Sequence, residues 1–80
     1  MTSVNQSIEL ESLGARIKRL RQERKLSQDR LAIEANIDQS GLSKFERGKE
    51  PKMSETPLRR VARILKVPYE ELVAGTDFAG

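Results

Sequence analysis

The side chains that could carry chemistry are few in kind. The sequence has no cysteine and no histidine. That excludes disulfides, thiolate nucleophiles, cysteine zinc sites and imidazole acid–base or metal-ligand chemistry. Carboxylates remain, and Glu46, Glu50 and Glu55 are the candidates for a metal-dependent nuclease, but they follow no ligand spacing. We expect no enzyme activity and no cofactor. What is left is recognition by hydrogen bonds and by charge.

The charge is arranged in blocks. Fifteen basic and twelve acidic residues give a net charge of +3. Arg16, Lys18, Arg19, Arg21, Arg24 and Lys25 stand against Glu23 alone, and Arg59, Arg60, Arg63 and Lys66 form a second cationic run between acidic ends. Local basic patches suit a polyanion partner, and the plainer alternative is a set of solvated helix faces. For Arg59, Arg60 and Arg63 the solvated face is expected. Arg16, Lys18 and Arg19 point in different directions from one helix, so not all three can meet one partner. Eighty residues suffice for one domain. No apolar run approaches the roughly 18–20 residues needed to span a bilayer. Met1 to Gln6 lack the basic start and apolar stretch of a signal peptide. A cytoplasmic, nucleoid-associated domain with no membrane contact is therefore expected.

Short helices must position these groups. Residues 1–9 read as a flexible arm and 77–80 as a tail. Leu10, Leu13, Ile17 and Leu20 recur at helical spacing, with Ser12 as an N-cap candidate and a helix end near Arg24 and Lys25. Ser27 caps a second helix, about Gln28 to Ala35, with Leu31, Ala32 and Ala35 inward. Asn36 tolerates the left-handed conformation that ends a helix, and Asp38 caps a third, about Gln39 to Glu46, with Leu42 and Phe45 inward. Gly48 stops it. Ser54 or Thr56 opens a fourth helix with Leu58, Val61, Ala62 and Leu65 buried, and Pro57 is tolerable in its first turn. Pro68 breaks it, and Tyr69 to Val73 forms a fifth helix that ends at Gly75. No segment alternates with period two, so the fold class is all-α. Helices two and three are joined only by Asn36-Ile37-Asp38, with Ile37 expected as a core plug. That is a helix-turn-helix pattern over about residues 28–47.

Five segments then agree in order and spacing: Gly14-Ala-Arg-Ile-Lys-Arg-Leu-Arg, Leu26-Ser-Gln-Asp-Arg-Leu-Ala, Ser43-Lys-Phe-Glu-Arg-Gly-Lys, Leu58-Arg-Arg-Val-Ala-Arg-Ile-Leu and Glu70-Glu-Leu-Val-Ala-Gly. Together they resemble the phage repressor and Cro type of helix-turn-helix domain, the XRE-like or lambda-repressor-like family, over about residues 10–76. The resemblance implies a compact five-helix bundle that binds double-stranded DNA. It implies base-edge contacts from Gln39, Ser40, Ser43 and Lys44, where glutamine suits adenine and lysine suits guanine. It implies phosphate contacts from Ser27, Gln28, Arg47 and Lys49, with Lys52 beside them. Gly41 would leave room for close approach at a cost of about 1 kcal/mol relative to alanine. Arg21 and Glu46 hold the positions of a buried ion pair, structural first and a backbone contact second.

One recognition helix covers few base pairs, so a homodimer on a (pseudo)palindromic operator is expected, acting as a transcriptional regulator. The resemblance implies a dimer contact through the last helix and its flank, with Tyr69, Leu72, Val73 and Phe78 as candidates. The alternative is a protein-interaction module of the same fold, an antitoxin or adaptor with weak or no DNA binding.

Overall fold

The computed structural model describes residues 11–49 and 53–76. Within them lie five helices: α1 (Leu13–Glu23), α2 (Gln28–Ala35), α3 (Gln39–Glu46), α4 (Glu55–Leu65) and α5 (Tyr69–Val73). The expected arm at 1–9, Lys52 and the tail at 77–80 fall outside the described residues. The all-α, five-helix bundle expected from the sequence is the fold of the described residues. Among the described residues no helix is long and apolar enough to cross a membrane.

The helices begin where small polar side chains can satisfy the first amides. Ser12 accepts from Ala15 N, Ser27 from Arg30 N and Asp38 from Gly41 N. Ser54 occupies the cap position of α4 without a side-chain bond, and Glu55 stands in the first turn. Pro57 sits at the third helical position, where its missing N–H would have had no intrahelical partner.

Four helices end in the same way. After α1, α2, α3 and α4 the residues Lys25, Asn36, Gly48 and Lys66 adopt left-handed backbone, with φ of 55, 58, 78 and 62°. Each ending carries two amide-to-carbonyl bonds closing the last turn, as in Leu26 N to Arg21 O at 3.0 Å and Lys25 N to Gln22 O at 3.0 Å. The same pair recurs at Ile37 with Asn36, at Lys49 with Gly48 and at Val67 with Lys66, which identifies the Schellman motif. Three of the residues that follow the left-handed one, Leu26, Ile37 and Val67, pack against the core. Ile37 thus plugs the turn as expected. At Lys25 and Lys66 the sequence offers no glycine, and the tertiary hold on Leu26 and Val67 imposes the conformation instead.

Leu13, Ile17, Leu31, Leu42, Leu58, Leu65 and Leu72 are among the buried side chains that fill a single core. α3 packs against α1 and α2, α4 against α2 and α5, and α5 against α1. α1 and α3 also approach through backbone. A Cβ on Gly14 would lie 1.9 Å from the Phe45 carbonyl oxygen, so only glycine fits there. Arg60 Nε donates to Ala35 O at 2.7 Å and ties α4 to the C-terminal end of α2. Arg60 is therefore a structural cap rather than part of a solvated face, whereas Arg59 and Arg63 are exposed as expected.

The opposite side is closed by Arg16. Its guanidinium donates to the carbonyls of Glu71 (2.9 Å), Leu72 (3.4 Å) and Ala74 at the end of α5, and pairs with Glu11 at 3.0 Å. A single bridge, Glu11 N to Gly75 O at 3.2 Å, joins the two ends of the described bundle.

Candidate nucleic-acid interface

The front of α3 is built on Asp38. Its Oδ2 accepts from Gly41 N at 2.9 Å and from the Ser40 hydroxyl at 2.6 Å. The Ser40 hydroxyl, then the Gly41 amide, hold the Asp38 carboxyl below its ordinary value, and Lys44 lowers it further. The helix start is thus pinned by a carboxylate that stays ionised.

Leu42, Phe45 and Glu46 turn inward from α3. Gln39 stands four residues before Ser43, and Ser40 stands three and four before Ser43 and Lys44, so the four share the other face. Gln39, Ser40 and Lys44 are exposed and Ser43 is half-buried. The four expected base contacts are therefore brought together on one side of one helix. Gly41 is half-buried, and within the chain its only near neighbour is Asp38. A Cβ there would meet Asp38 at 3.6 Å, an ordinary contact.

The expected phosphate contacts are partly occupied by internal bonds. Ser27 accepts from Arg30 N at 3.0 Å, which still leaves its O–H able to donate. Gln28 is half-buried, donates to Glu46 Oε1 at 3.1 Å and accepts from Gln39 Nε2 at 3.4 Å. Arg47 is exposed at the C-cap of α3 and donates to Ser43 Oγ. Lys49 is exposed just beyond it.

Arg21 and Glu46 form a two-pronged pair, Nε to Oε2 and Nη2 to Oε1, both at 2.9 Å. Arg21 Nη1 donates to Leu26 O at 3.0 Å. The side chains are 10% and 1% exposed. Three of the five Arg21 N–H groups are thus used inside the fold, which gives the side chain the structural role expected first. The same pair uses Glu46, Glu55 pairs with Arg59 at 2.6 Å, and Glu50 lies outside the described residues.

The expected dimer patch is only partly at the surface. Leu72 is fully buried against the core and cannot meet a second copy, a correction that follows from its inward position on α5. Tyr69 and Val73 are half-buried, and the Arg59 guanidinium lies 4.2 Å from the Tyr69 ring centroid. Phe78 lies outside the described residues.

Three residues that position the site were not singled out for it in the sequence. Gly14 lets α3 touch α1. Arg60 fixes the end of α2. Gln28 links the buried pair to α3. Gly14 lies in the first turn of α1, so its close contact with α3 left no local signal in the sequence.

Residues 12–74 match the family model of a helix-turn-helix domain. The HTH-type transcriptional repressor RghR of Bacillus subtilis (strain 168) is 36% identical over 64 residues, covering 80% of this chain and 47% of that protein. The chain thus spans about half the length of that relative. Among solved structures, the N-terminal DNA-binding domain of SinR from Bacillus subtilis superposes with a TM-score of 0.74 at 32% identity, covering 82% of this chain and 96% of that one. SinR in complex with DNA superposes with a TM-score of 0.72 at 34% identity, covering 76% and 97%. The chain belongs to the helix-turn-helix domain family, and within it to the lambda-repressor-like, XRE type.

Proposed function

We propose that the chain is the DNA-binding part of a transcriptional regulator. α3 enters the major groove, with Gln39, Ser40, Ser43 and Lys44 against base edges. Ser27, Gln28, Arg47, Lys49 and Lys52 hold phosphates. The observation that carries this reading is the outer face of α3, polar or cationic at all four positions and without a carboxylate. The likeness to SinR, solved with DNA, supports it. The name of RghR supports repression, achieved by occupying a promoter-proximal site.

Two such units are expected on a (pseudo)palindromic operator, through Tyr69, Val73 and Phe78. Sedimentation with and without the operator tests the pairing, and a monomer under both conditions counts against it. Selection of bound duplexes from a random pool tests the function. Enrichment of one sequence with two-fold symmetry is expected. Recovery of no sequence above background would leave the protein-interaction reading in its place. Ile33, a large apolar side chain 67% exposed on α2, is the observation among the described residues that favours that second reading.

A further inference from the structure

Beneath the outer face of α3 runs a chain of polar contacts whose direction is imposed from the interior. The Glu46 carboxylate is buried and, paired with a guanidinium, can only accept hydrogen bonds. Arg21 occupies both oxygens, and Oε1 also accepts from Gln28 Nε2 at 3.1 Å. An amide facing this carboxylate must turn its nitrogen toward it, so the Gln28 oxygen is left to Gln39, and the second Nε2 N–H is the donor Gln28 has for a phosphate. The Gln28 oxygen accepts from Gln39 Nε2 at 3.4 Å. Gln39 is thereby oriented as well. One of its N–H groups goes to Gln28, while the second N–H and Oε1 stay on the exposed side. A donor beside an acceptor matches the N7 and N6 edge of adenine and mismatches guanine, which presents two acceptors there.

We propose that Glu46, too buried to touch DNA, is a positioning residue for sequence specificity: it sets the polarity of the Gln28 and Gln39 amides and so makes Gln39 select adenine over guanine. The inference rests on the reading of α3 as the helix in the major groove. Its test begins with duplexes selected from a random pool by the wild-type chain and by Gln39→Ala. The base pair whose preference is lost in Gln39→Ala is the one Gln39 reads, and A·T is expected there. If the wild-type chain enriches nothing, the DNA-binding reading fails and the inference falls with it. If a site is enriched but the pair read by Gln39 is not A·T, or Gln39→Ala loses no preference, the inference alone is overturned.

The ratio of Kd values for A·T and G·C at that pair is then measured for two variants. In Arg21→Met/Glu46→Leu the ion pair is replaced by apolar side chains, an exchange that folded proteins often tolerate. In Gln28→Met the relay is cut near the surface. Both are expected to lose roughly tenfold in that ratio and to keep the preferences at other pairs. A merely structural role would weaken binding to all sequences alike. A folded variant of either kind with the wild-type ratio overturns the proposal. If circular dichroism shows the double variant unfolded, Gln28→Met decides in the same way.

Discussion

Two arginines of α1, Arg16 and Arg21, each close one side of the bundle, on different terms. Arg21 faces a carboxylate that is 1% exposed and joins α1 to the end of α3. Arg16 faces the carbonyls ending α5 and a Glu11 that is 32% exposed. Where water cannot enter, removing one partner strands a charge. Where water can reach the acceptors, it can replace much of what is removed. The α3 side is therefore fixed by an all-or-none contact, and the α5 side by one that can be loosened gradually.

Removing Arg21 alone should break the contrast most sharply. Arg21→Met leaves Glu46 buried and unpaired, with an expected loss of about 3–5 kcal/mol in urea unfolding. A loss similar to that at Arg16 would show that the two sides do not differ. Gly14→Ala strikes the same side through backbone. With 1.9 Å between the added Cβ and the Phe45 oxygen, α3 must shift. We expect a loss of about 3 kcal/mol, seen as a lowered Tm. An unchanged melting curve would mean that α1 and α3 are not held in contact. Arg16→Met should cost only about 1–2 kcal/mol. Amide exchange should accelerate in α5 and leave α3 protected, and equal acceleration in both would merge the two regions into one unit.

Smaller effects sharpen the picture. Lys66→Gly should be stabilising by up to about 1 kcal/mol in thermal melts, because glycine adopts the left-handed backbone without a Cβ penalty. A destabilised variant would show that the lysine side chain itself contributes. Asp38 gives a pH dependence on the α3 side. Its folded pKa is lowered, so its stabilising effect is complete above the unfolded value, about 3.9, and is lost as pH falls through the folded value. In Asp38→Asn, unfolding monitored by circular dichroism should lose part of its dependence on pH below about 4.

Much of the fold is legible in the sequence because local chemistry and tertiary packing agree. Asn36 and Asp38 bound the turn between α2 and α3 and Gly48 ends α3, all by properties of the residue itself, whereas α4 already ends at Lys66, two residues before Pro68, which instead caps α5. The inward stripes of α2 and α4 follow from helical spacing. Lys25 and Lys66 were not legible as left-handed residues, since lysine has no preference for that backbone. Buried neighbours hold them there. Arg16 and Arg60 were not legible as caps, because their carbonyl partners lie 55 and 25 residues or more away. Leu72 was misassigned to a surface for a related reason. On a five-residue helix, spacing does not tell which side faces the core. The shared face of Gln39, Ser40, Ser43 and Lys44 was legible, whereas the internal bonds on Ser40, Ser43 and Gln28 depend on side-chain placement.

The contact at Gly14 has one more consequence. The tilt of α3 against α1 is set by main-chain atoms, Gly14 on one side and the Phe45 carbonyl on the other, and so does not depend on which side chains the outer face carries. Positions 39, 40, 43 and 44 can be exchanged while the mount beneath them keeps its angle. The bundle thus offers a fixed holder with a replaceable face.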